Sequence, residues 1–472
     1  MQPDLAAASL VQLSHMRLFR CSIALLTLGI SSASLAAQDA SRYRADADRL
    51  IDAATKDTAA WLKIAELTDT FGSRISGSDA LERTIDWTLD RMRADGLENV
   101  RGEAVMVPHW VRGTESAELV APRRKNLTML GLGGSIATPA AGITAPVLVV
   151  TSFEDLTKRA ADARGKIVLF DVPFTEYGQT VAYRGGGAIA AARVGAVAML
   201  LRSVASYSMN SPHTGGMRYD TTVTRIPAAA ITVEDAMLLH RMQDRGQAVT
   251  VSLHMSALML PPSPSRNIVA EIRGRERPDE VVVMGGHIDS WDVGQGAMDD
   301  AGGVVAAWEA VRLMKALGLR PRRTIRVVGW TNEENGGRGG AAYRATHADE
   351  VSHHQFALES DEGVFRPWGI AMVGNDSALA MLKRIAPLLK RIGADSVSRG
   401  DGEADIGPLL RAGVPGAGLL VDGTRYFWFH HTQADTPDKL DARDVAKCVA
   451  TMAVYAWVLA EMPERVPHTA GR

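Results

Sequence analysis

From Asn267 onward, strand-like apolar runs alternate with helix-like segments, and this alternation constrains the fold more than any other feature of the chain. SRNIVAEIRG and EVVVMGGHIDS carry strand runs, AGGVVAAWEAVRLMKAL has helical texture, and TIRVVGWTNEE is a strand again. The helix ALAMLKRIAPLLKRI, the strand VPGAGLLVDG and a helix around residues 445–462 continue the series. Such a pattern predicts an α/β sandwich, a mixed and largely parallel sheet between layers of helices. In a parallel sheet the carboxyl ends of the strands gather along one edge, where ligands bind.

The chemically capable residues fall at those ends. His287 and Asp289 follow the apolar run VVVM (281–284), and Glu333 and Glu334 follow TIRVVGW (324–330). Asp361 follows HQFALES, and His430 and His431 follow YFWF (426–429), read here as a fourth strand end. Taken singly, each has a bland reading. His-x-Asp is a common structural pair, adjacent glutamates are a solvated face, and Asp299-Asp300 before glycines is a turn. Placed together at four strand ends, they converge. Imidazole and carboxylate groups without a thiolate suit catalytic rather than structural zinc. Two ions held about 3.5–4 Å apart need a bridging carboxylate. The sequence has no HExxH, which excludes a single-helix zincin by motif.

Ahead of this region the texture differs. Residues 42–97 have helical spacing interrupted by the turn FGSRISGSDA, and strands begin after Asn99. A separate module follows, with strands APVLVV (145–150), KIVLFDVP (166–173) and IPAAAIT (226–232) and a helix GGGAIAAARVGAVAMLL (185–201). Pro261, Pro262 and Pro264 mark its exit as a stiff segment. The glycines at 185–187 lack the Lys-Ser/Thr ending of a phosphate loop and are read as packing glycines. The expected division is an upstream extension and export signal at 1–37, a first part of the catalytic domain at 38–124, the inserted module at 125–260, and the main part at 261–472.

The export signal rests on the basic stretch MRLFR (16–20), the apolar run CSIALLTLGI (21–30), and small residues leading to cleavage after Ala36 or Ala37. The apolar run is too short for a membrane span, so the mature chain is expected in the periplasm or outside the cell, free of the membrane. Of the two cysteines, Cys21 lies in the signal, leaving Cys448 alone and no internal disulfide. A formal net charge of -2 gives no electrostatic footprint for nucleic acid.

The ordered set HID (287–289), DDAGG (299–303), NEENGG (332–337), ESDEG (359–363) and HHTQADT (430–436) resembles the di-zinc exopeptidases related to aminopeptidase Y and the glutamate carboxypeptidases. The resemblance covers nearly all of the chain after the signal. It implies two Zn2+ per chain, held by His287 and Asp361 on one side and Glu334 and His431 on the other. Asp299, rather than Asp300, is the implied bridge, and His431 is preferred to His430 because it directly precedes Thr432. Asp289 would orient the His287 imidazole, and Glu333 would be the general base for a metal-bridged water. Short peptides or dipeptides are the implied substrates, 125–260 a protease-associated-like domain, and a homodimer the implied assembly.

For substrate contacts, the loop RGDGEADIG (399–407) offers Glu403 or Asp405 to an α-amine, against the plain reading of a polar turn. Trp291, Tyr426 and Trp428 are expected to line the pocket, against the plain reading of core aromatics. Three rivals stand beside the exopeptidase: a non-peptide amidohydrolase, a single-zinc glutaminyl cyclase on the same scaffold, and a non-catalytic binding relative. Aminopeptidase, carboxypeptidase and dipeptidase outcomes all stay open.

Overall fold

A computed structural model describes residues 41–56 and 58–471. The export signal lies outside the described residues, and among these no helix is long and apolar enough to cross a membrane. After helices Arg44–Lys56, Ala59–Phe71 and Asp79–Ala94, the long strand β1 (Glu98–Val111) leads into β2 (Glu115–Ala121), β3 (Lys125–Leu127), β4 (Met129–Gly131) and β5 (Ile143–Val150). These are followed by β6 (Ile167–Phe170), β7 (Ala198–Arg202), β8 (Ala228–Ile231) and β9 (Thr250–Met255). Next come β10 (Leu258–Ile272), β11 (Arg277–His287), β12 (Arg323–Trp330) and β13 (His354–Glu359), and last β14 (Pro367–Val373), β15 (Ser396–Arg399) and β16 (Gly416–Val421).

Two sheets result. The first has the order β1-β10-β12-β11-β13-β16-β14-β15, and the second β3-β2-β9-β5-β6-β7-β8-β4. In the first, β12, β11, β13 and β16 run parallel, flanked by antiparallel β10 and β14. All eight residues of β12 are buried, as expected of a central strand covered on both faces. Along β11 the side chains alternate. Val282 and Met284 join the core under helices Gly302–Ala316 and Ala442–Glu461, while Val281 and Val283 pack with Tyr343, Ile406 and Leu409 on the other face.

The second sheet has helix Tyr177–Arg193 against one face and helix Val233–Asp244 against the other. Its strands begin at Glu115, before the boundary drawn at Lys125, because only residues 112–114 separate β1 from β2 and no turn-rich break marks the crossing. Two expectations are corrected. The helix read at 185–201 is shifted: it spans Tyr177–Arg193, and the largely apolar residues Ala198–Arg202 form β7. Glycine and alanine carry no period that separates the two states, and the break falls at Gly195, whose φ of 81° ends the helix. The prolines 261, 262 and 264 do not form a stiff exit but lie within β10. There β10 pairs only with β1, so one edge needs no N–H donor.

At the end of β11 the first sheet meets the amino terminus of helix Gly302–Ala316 at very short range. A Cβ on Gly286 would collide with Asp300 Oδ2, and one on Gly303 with the same carboxylate. Asp300 fills this contact by accepting His287 N–H at 3.1 Å and Gly303 N–H at 2.8 Å. Gly286→Ala is expected to lower the unfolding free energy by about 1–3 kcal/mol through overpacking. Denaturant titration at equilibrium checks this; an unchanged midpoint would show that the strand end has room to give.

Candidate metal centre

The carboxyl ends of β11, β12 and β13 deliver His287, the Glu333–Glu334 turn and Asp361 to one edge. The fourth contribution arrives differently from the expectation. YFWF (426–429) is a short helix after β16 rather than a strand end, a distinction four apolar residues cannot reveal by periodicity. It is followed by His430 and by His431, a non-glycine residue with φ of 60°.

Asp299 stands at the centre. His287 Nε2 lies 3.1 Å from Asp299 Oδ1 and 3.0 Å from Asp361 Oδ1. His431 Nε2 lies 3.3 Å from Asp299 Oδ2 and 3.0 Å from Glu334 Oε2. One carboxylate is thus shared between two imidazole–carboxylate groups. Ligands around a tetrahedral zinc at about 2.0–2.2 Å sit roughly 3.4 Å from one another, so the spacing suits an ion in each group. Asp299 Oδ2 and Glu334 Oε1 are buried and lack hydrogen-bond partners, which gives them capacity for a cation. Asp300 points away from the groups, to backbone N–H donors.

The electrostatics agree with this chemistry. Burial pushes His431 down to about 4, leaving a neutral imidazole with a lone pair to give. Burial, and then the charge of Asp299, pushes Glu334 well above the usual carboxylate range. Burial, and then Asp361, does the same to Glu333. Buried carboxyls of this kind either hold their protons or ionise beside a cation, and a metal ion would favour the ionised form.

Asp289 differs from its expected part. The His287 Nδ1 contact is with the Asp289 backbone carbonyl at 3.0 Å, while the carboxylate is 3.7 Å from that nitrogen. The carboxylate instead accepts Glu333 N–H at 3.1 Å and the Ser76 hydroxyl at 3.4 Å. It therefore fixes the turn that carries the two glutamates.

A cavity of ≈ 260 Å³ opens over the cluster, lined by Asp299, Glu333, Glu334, Asp361, Glu362, Glu403 and Tyr426 together with Tyr177, Arg184, Phe427, His430 and His431. Of the expected substrate contacts, Glu403 and Tyr426 reach it. Asp405 is buried behind, with its backbone N–H donated to Glu359. Trp291 is buried beside His431, 5.4 Å between ring centres, and packs on Gly133. Trp428 packs on Tyr207.

The sequence reading missed several residues. Arg74, fully buried, donates to the carbonyls of Ile288, Gln295 and Gly296, and Asp435 accepts the N–H groups of Ala297 and Met298. Together they clamp the loop that ends in Asp299. From the second sheet's side, Thr214 N–H donates to the His431 carbonyl at 3.0 Å, and Arg184 Nη2 donates to the Tyr177 hydroxyl at 2.7 Å. His430 stacks on His431 at 3.4 Å. Only HHTQADT carried a usable signal, since it includes Asp435.

The geometry can be set beside known proteins. The model of Peptidase family M28 matches residues 267–456. Carboxypeptidase Q of Xenopus laevis is 46% identical over 431 residues, covering 91% of this chain and 92% of its own. That of Homo sapiens is 48% identical over 408 residues, covering 86% of each. Among solved structures, a peptidase M28 precursor from Shewanella amazonensis superposes with a TM-score of 0.88 at 35% identity, covering 91% of this chain and 99% of that one. A zinc aminopeptidase from Bacillus subtilis shares the fold at a TM-score of 0.63 and 22% identity, covering 84% of this chain and 94% of its own. The chain belongs to peptidase family M28.

Proposed function

We propose that the protein is a zinc-dependent exopeptidase that hydrolyses short peptides, with two ions per chain sharing Asp299. The observation that carries this reading is the pair of imidazole–carboxylate groups joined by that one carboxylate. His287 and Asp361 would hold one ion and His431 and Glu334 the other. The carboxypeptidase Q relatives and the zinc aminopeptidase fold support the same chemistry. Bound zinc supplies Lewis acidity, polarising the peptide carbonyl and acidifying water.

The chain's own residues supply the rest. Glu333, held by the Asp289 carboxylate at its N–H, takes a proton from the attacking water and returns it to the leaving amine. Arg184 is buried, faces the cleft with Nε unpartnered, and has no carboxylate partner among the described residues. A buried guanidinium in that state suits a substrate carboxylate, which it binds in a fork. The inserted module, which we read as protease-associated-like, walls the cleft with Tyr177 and Arg184 and so restricts it to short substrates.

Three outcomes are expected. Glu333→Gln should keep two zinc ions per chain while turnover falls on the order of 10²–10⁴-fold; Glu334→Gln should lose zinc from one site. Metal analysis alongside steady-state kinetics checks both, and zinc loss in Glu333→Gln with retention in Glu334→Gln would reverse the two roles. Arg184→Met should raise KM for dipeptides with a free carboxylate roughly 10–100-fold, the worth of a charged hydrogen bond. It should leave C-amidated analogues almost unaffected, as a paired substrate series would reveal. Dipeptides should be cleaved readily and a denatured protein hardly at all; efficient internal cuts seen by mass spectrometry would overturn the restricted cleft.

A further inference from the structure

The loop at 400–406 leaves the end of β15 and runs back over β16. Its anchor is Glu359, the fully buried last residue of β13, two positions before Asp361. Glu359 Oε1 accepts Asp405 N–H at 3.2 Å and Oε2 accepts Ile406 N–H at 2.9 Å. With the loop held from below, the Glu403 carboxylate lies flat on the backbone of β16 at Gly418. A Cβ at Gly418 would collide with Glu403 Oε1, so glycine is required for the carboxylate to occupy that seat. The placement is therefore built by the sheet and does not belong to a free polar turn.

From this seat Glu403 faces the metal cleft on the Asp361 side, whereas Arg184 faces it from beside His431. The charged neighbours that act on Glu403 are Asp361, Glu362 and Glu359, all acidic, and Glu362 lines the cleft beside it. No Lys, Arg or His pairs with Glu403 among the described residues, and it is not part of either imidazole–carboxylate group. Glu403 is half-buried, and an acidic group on the cleft wall without a cationic side chain beside it favours a positively charged ligand group. Apart from the ions proposed at the imidazole–carboxylate groups, the source of positive charge left to it is the substrate.

We propose that Glu403 is the specificity-determining residue for the substrate's free α-amino group, an inference that rests on the exopeptidase reading above. The α-amine is two bonds from the scissile carbonyl carbon. Its position is therefore fixed once that carbonyl is at the metal centre, and a carboxylate seated against Gly418 on the wall beside Asp361 can read it. A side-chain ammonium lies several rotatable bonds farther away and has no such fixed place. Asp405, the other acidic residue of the loop, is buried behind the cleft and has no part in this recognition.

The test uses the zinc-loaded full chain and Ala-Phe with its N-acetyl form. Calorimetry in a Glu333→Gln background reads binding without turnover. Adding Glu403→Gln should weaken Ala-Phe binding about 10–100-fold, the range of a charge-assisted hydrogen bond, and leave N-acetyl-Ala-Phe unchanged. Zinc content and melting temperature should match the parent. Gly418→Ala, which displaces the carboxylate without removing it, should reproduce the loss. An unchanged preference for the free amine in Glu403→Gln overturns the proposal. So does a loss confined to Lys-Phe and Arg-Phe, which would assign Glu403 to a side chain. Wild-type turnover of Ala-Phe is measured separately: its absence would sink the exopeptidase reading, while the binding comparison would still decide the role of Glu403.

Discussion

The buried carboxylate of Asp299, within 3.3 Å of imidazole nitrogens from two distant parts of the chain, is the constraint around which the catalytic edge is organised. Holding it there takes three separate devices. Asp300 turns the opposite way and bonds the His287 and Gly303 N–H groups, which seats the helix start against β11. Asp435 bonds the two N–H groups just before Asp299. Arg74 gathers the carbonyls of the preceding loop, and burial lowers its guanidinium to about 10, with Asp435 and Asp289 acting in the other direction. Each device satisfies backbone groups that would otherwise be buried without partners, so order in the loop and placement of the carboxylate are one problem.

The second sheet is coupled to this edge through the least conventional backbone of the site. His431 has a positive φ, and its carbonyl is taken by Thr214 N–H from the side of the second sheet. Next to it, Phe427 stacks on Tyr177 at 4.8 Å and packs against Phe174 at 5.4 Å. The short helix that presents the histidines is therefore held between the first sheet's edge and residues 174–214. The second sheet's side thus supplies a hydrogen bond to the residue that faces Asp299 and Glu334.

How much of this was legible in the sequence follows from the range of each interaction. Strand-end residues such as His287, Glu334 and Asp361 were visible because period and burial of β11, β12 and β13 are local properties, and topology then brings their ends together. Asp299 came from an ordered motif rather than from spacing, and its choice over Asp300 depends on backbone N–H groups that composition does not encode. Asp289 was assigned the wrong partner for the same reason: the Glu333 N–H that draws its carboxylate away is 44 residues distant.

The residues missed altogether share a different cause. Arg184 sits in YRGGGAIAAAR, where neighbouring glycines and alanines give a helix of weak amphipathic character and no hint of which face meets another module. Its place at the cleft depends on a contact with His431, 247 residues away, and such long-range contacts leave no periodic trace in the sequence. Glu403 and Asp405 show the converse. Two acidic residues in one polar loop were indistinguishable by composition, and what separates them is the glycine at 418 and the carboxylate at 359, one beneath the loop and one anchoring it. Gly418 reads as an unremarkable residue in VPGAGLLVDG until the loop is laid across it. A glycine inside a strand can mark the close approach of another group, and here that approach sets one carboxylate at the cleft and leaves its neighbour behind it.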